Sequence, residues 1–99
     1  MESGHWPLYL IAMTLKELRF ALQTILQAEQ AADVDWSKVK DLCTRTRRRL
    51  RSEQAPDYTD DFVHVFLDDP DLRQEDKEYA QVQYERLRNW LEASEIMSR

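Results

Sequence analysis

Glycine is almost missing from this chain of 99 residues, which holds only Gly4. That scarcity excludes glycine-rich phosphate loops and makes tight glycine hairpins poor candidates for its turns. The prolines are Pro7, Pro56 and Pro70, so long stretches lack a helix breaker. Cys43 is the one cysteine; it has no internal disulfide partner, which fits a reducing compartment. His5 and His64 are the only histidines. Long apolar runs are missing as well. The stretch from Trp6 to Met13 is too short to span a bilayer. It also lacks the basic leader and small-residue cleavage site of a secretory signal. The expectation is a cytoplasmic protein that makes no use of a membrane.

What the chain does contain is ordinary for a folded domain. Apolar residues make up 42% and charged residues 33%, a composition unlike that of disordered chains. Its length suits one domain with a single core. The net charge of −5 gives no general electrostatic reason to bind nucleic acid or an anionic membrane. The average hides a reversal. Residues 38–51 (KVKDLCTRTRRRLR) carry seven cations against Asp41, whereas residues 57–78 carry nine carboxylates against Arg73 and Lys77. Segregation of this kind means either internal pairing of the two blocks or a charged surface offered to a partner.

Apolar spacing and start signals predict four helices. Thr14 and Glu17 form a T-x-x-E capping box, with Met13 and Leu18 at the staple positions. Leu15, Leu18, Leu22, Ile25 and Leu26 then recur at helical spacing, giving a helix near 14–31. Asp35 caps a second helix near 36–53, with Val34 and Val39 placed as its staple. Its buried face is expected to be Val39, Leu42, Cys43, Thr46 and Leu50. Thr59 opens a third near 60–68, where Phe62, Val63, Val65, Phe66 and Leu67 would cover most of the circumference. A fourth runs from Pro70 to about residue 97, with Leu72, Tyr79, Ala80, Tyr84, Leu87, Trp90 and Leu91 on one broad arc. The expected fold is all-α, a compact four-helix bundle-like domain with residues 1–13 as an N-terminal arm or short extra helix.

No arrangement for catalysis stands out. The serines have no histidine at a diagnostic spacing, and Cys43 falls at the edge of a buried face, where a structural thiol is usual. Asp60, Asp61, His64 and Asp68 share one helix stripe. A straight helix face rarely gives the convergent geometry a metal needs, so this reading assigns no metal, no cofactor and no enzymatic activity.

Three surfaces remain as candidates. The first is an acidic edge of Asp60, Asp61, His64, Asp68, Asp71 and Glu75, suited to a protein partner, especially a basic one. The second is a face of Tyr9, Met13 and Phe20 that would support a homodimer. The third, as an alternative function, is a nucleic-acid face of Arg45, Arg47, Arg48, Arg49 and Arg51. The acidic neighbour of that face opposes a phosphate backbone, and the short turn favours partial pairing of Arg51 with Asp57, or of Arg47 or Arg48 with Asp60 or Asp61. The expected function is therefore a small non-enzymatic interaction or regulatory protein.

Overall fold

Thr14 opens the first helix by a two-way exchange. Its Oγ1 accepts from the Glu17 backbone N–H at 3.1 Å, and its own N–H donates to Glu17 Oε1 at 3.0 Å. A computed structural model describes residues 13–52 and 61–97. Within them lie α1 (Leu15–Glu29), α2 (Trp36–Ser52), α3 (Asp61–Asp68), α4 (Pro70–Glu75) and α5 (Lys77–Met97), and no strand. The all-α bundle expected from the sequence is what forms. The arm at residues 1–12 and the Thr59 cap lie outside the described residues.

α2 starts as its cap predicts, with Asp35 Oδ1 accepting from Lys38 N–H at 3.1 Å. α1 and α2 pack side by side, α3 packs on α2 and α5, and α5 also lies on α1. Leu18, Leu22, Ile25, Val39, Cys43, Leu50, Val63, Phe66, Leu67 and Leu87 are sealed almost completely within one cluster. Thr46 is also buried and returns its hydroxyl to Leu42 O at 2.9 Å. Arg19 ties α1 to the end of α5 by donating to Ser94 Oγ and to Leu91 O.

The fourth helix expected from the sequence is two helices. Asp76 takes an extended conformation (φ −123°, ψ 104°), and its Oδ1 caps α5 by accepting from Glu78 N–H and Tyr79 N–H, each at 3.1 Å. This break lets α4 pack against α2 while α5 follows α1 and α3. It also corrects the expected arc. Leu72 is half in solvent, whereas Arg73, one residue on, is 1% exposed. Val65 of α3 likewise faces out, because Phe62, Val63, Phe66 and Leu67 already fill the buried side.

Arg73 joins all five helices. Its Nε and Nη2 donate to the buried Glu29 carboxylate of α1, the shorter bonds being 2.9 Å. Nη1 donates to Phe66 O of α3 at 2.6 Å and to Gln83 Oε1 of α5 at 2.8 Å. Nη2 also lies 3.7 Å from Cys43 Sγ of α2. The guanidinium stacks 3.8 Å from the centre of the Phe66 ring. Tyr84 completes the site by donating to Glu29 Oε1 at 2.6 Å. Every guanidinium N–H therefore has an acceptor, the condition under which a buried charge is tolerated.

Removing one side of such a pair leaves an uncompensated buried charge, at a cost of about 3–5 kcal/mol. Arg73→Met should lower stability by that amount in urea denaturation. Adding Glu29→Leu and Tyr84→Phe should restore part of the loss, because no buried ion or hydroxyl is then left unpaired. A loss under about 1 kcal/mol for Arg73→Met alone would contradict this account.

Candidate functional site

The acidic edge is partly consumed inside the fold. Asp68 Oδ1 pairs with Arg47 Nη1 at 2.8 Å, and Asp71 Oδ1 pairs with Lys40 Nζ at 2.8 Å. The two charge blocks thus meet at Asp68 and Asp71. Pairs this exposed contribute about 0–1 kcal/mol each, so they align α3 and α4 on α2 more than they stabilise them. Asp61 and Glu75 are exposed and His64 is half-buried. Asp60 lies outside the described residues, as does the suggested Arg51–Asp57 pair. Among the described residues no cluster of three or more His, Cys, Asp or Glu is placed to hold a metal ion.

The arginines do not form one face. Arg47 turns toward α3, as its bond to Asp68 requires, whereas Arg45 and Arg49 turn toward α1. Arg45 also pairs with Asp41 one turn away at 2.9 Å, and Arg49 reaches Glu17 of α1 at 3.8 Å. Arg48 is exposed, and the Arg51 side chain lies outside the described residues.

Two residues of the suggested dimer face, Met13 and Phe20, line one groove. Met13 is 7% exposed and also belongs to the core cluster. It is held inward because the staple position brings it to the Leu18 side of α1. Phe20 is 70% exposed, and Tyr9 lies outside the described residues. Phe20 stands at an open groove of about 550 Å³ between α1 and α2, floored by Met13, Ala21, Leu42 and Thr46. Lys16, Glu17, Arg45 and Arg49 form its rim. The sequence held a signal for this groove: Phe20 stands on the side of α1 opposite its leucine stripe, and Leu42 stands at the edge of the buried face of α2.

A second cleft of about 570 Å³ lies over the buried network, walled by Trp36, Lys77, Gln81 and Tyr84 among others. The carboxylate and guanidinium beneath it already satisfy one another. The network is thus a structural element. No family model, curated protein or solved structure matches this chain. No helix among the described residues is long and apolar enough to cross a membrane.

Cys43 is not disposed to act as a nucleophile. Burial pushes its thiol from 9.0 up to about 11; nearby Arg73 opposes the rise and the Glu29 carboxylate adds to it. Burial, then the bond to Glu29, raises the Tyr84 hydroxyl as well. In both cases the folded state holds its proton more tightly than the unfolded chain. The associated stability is fully present below the unfolded value and is lost as pH rises through the folded one. Stability should therefore fall between pH 9 and pH 11, with Cys43 accounting for about 2–3 kcal/mol of the decline. Urea midpoints across that range should flatten in Cys43→Ser, whose hydroxyl does not titrate there. The groove makes a separate prediction. Phe20→Ser should change stability by no more than about 0.5 kcal/mol, against a loss of about 2–5 kcal/mol for Leu18→Ala in thermal or urea melts.

Proposed function

We propose that this chain is a small non-enzymatic protein-interaction domain that docks a partner protein across the α1–α2 face. The observation that carries the reading is Phe20, 70% exposed beside an open apolar groove. A lone exposed apolar side chain is ordinary. A large aromatic standing next to a trough with an apolar floor is the arrangement by which interfaces anchor. Cytoplasmic residence and a regulatory role belong to the same proposal.

A second reading keeps the acidic edge as the contact for a basic partner. It is favoured by the exposed Glu75, Asp76 and Glu78 around the α4–α5 break, with Lys77 among them. Asp68 and Asp71 are already engaged by Arg47 and Lys40, so this edge would act mainly by steering encounter. Self-association through Phe20 is tested by the same variants.

Affinity capture from native extract, with mass spectrometry and with light scattering of the purified chain, tests the proposal. A stoichiometric partner lost in Phe20→Asp but kept in Val82→Asp and Glu75→Lys supports the groove. Loss in Glu75→Lys alone moves the contact to the acidic edge. Retention in all three variants overturns both surfaces.

A further inference from the structure

We infer that the α1–α2 groove is shaped for an acidic amphipathic helix of a partner protein, apolar on one side and carboxylate-bearing at its flanks. This inference rests on the docking reading above and adds the chemistry of what docks.

Two properties coincide at the groove. Its floor is apolar, built from Met13, Ala21 and Leu42 with the Thr46 side chain, and Phe20 projects beside it. Its rim is mainly cationic: Lys16 and the acid Glu17 rise from α1, and Arg45 and Arg49 rise from α2. At 100° per residue Lys38 falls on the same line of α2 as Arg45 and Arg49, within about 40°. Lys38 is exposed. Against these four cations, among the described residues, the same faces carry Glu17 and Asp41. Arg45 and Arg49 each meet one of those acids, which orients the guanidinium groups along the rim without cancelling the excess.

Charge and shape together choose the occupant. A second copy presenting the same face would set cations against cations, with Phe20 opposite Phe20. A basic segment meets the same repulsion. A nucleic-acid backbone would match the charge but has no use for an apolar floor or a protruding phenylalanine. An amphipathic helix satisfies both at once, in the helix-in-groove mode with anchors at i, i+3 or i+4, and i+7. Leu15 to Ala21 spans about 9 Å of helix at 1.5 Å per residue, with Met13 just before its cap, enough to receive about two turns. Carboxylates on both flanks of that stripe then lie opposite Lys16 on one side and Arg45 and Arg49 on the other.

Fluorescence anisotropy of the full chain with labelled helical peptides of about four turns tests this. The probes share one leucine and phenylalanine stripe and differ only in flanks, glutamate in one and lysine in the other. The expected result is at least about tenfold tighter binding of the glutamate peptide at low salt, narrowing as salt is raised. Arg45→Glu with Arg49→Glu should invert the preference toward the lysine peptide, an outcome that loss of folding cannot mimic. Equal binding of the two peptides, abolished by Phe20→Asp, overturns the acidic partner and leaves the docking reading standing. Binding of neither peptide to the full chain overturns the inference. If removal of residues 1–12 then restores binding, the chain's own segment is the occupant. Peptide binding that persists in Phe20→Asp removes the groove itself and the docking reading with it.

Discussion

A single guanidinium dictates how these helices meet. Arg73 is sealed from water, and a planar cation with five N–H donors is tolerated there only if each donor is met. The acceptors come from Glu29, Cys43, Phe66 and Gln83, one from each of the other four helices. Nonpolar packing alone admits small slides of one helix along another. An array of short, directional bonds to a buried ion does not, because a slide of an ångström or so strands a charge. The polar centre thus specifies the arrangement more than it adds to net stability. It continues outward from Gln83 to Tyr79 and then to Asp69, so α5 is also tied to the junction between α3 and α4.

The same closure leaves the buried polar groups bonded to one another. Glu29, Arg73 and Tyr84 are the kinds of groups found in active sites, yet each is spent on the others. Cys43 is held as a protonated thiol by its burial. On the exterior, the α1–α2 groove combines an exposed aromatic, an apolar floor and a mainly cationic rim.

The charge segregation has two outcomes in one molecule. On one side of α2 it is settled internally, as Lys40 and Arg47 reach across to Asp71 and Asp68. On the other side Arg45 and Arg49 face α1, where Glu17 is the nearby acid. A helix with cations around most of its circumference therefore serves as an electrostatic seam on one side and a rim on the other.

The all-α class, the caps at Thr14 and Asp35 and the inward faces of α1 and α2 were legible in the chain itself. They depend on local signals: a side chain capping an N–H three residues on, and apolar residues recurring every three or four. Glu29 and Arg73 were not, although each carried a clue. Glu29 takes the next place after Ile25 on the α1 stripe, and Arg73 lies at the centre of the arc running through Ala80, Tyr84 and Leu91. A charged residue at such a place reads as an exposed edge until its counter-ion is known, and that partner lies 44 positions away. The break at Asp76, the outward turn of Leu72 and Val65, and the groove beside Phe20 are decided the same way. Local sequence determined where α1 and α2 start and which of their sides turns inward. Only the tertiary structure decided which charges are buried, which apolar groups are left over and where they gather, because those depend on what each helix finds opposite it.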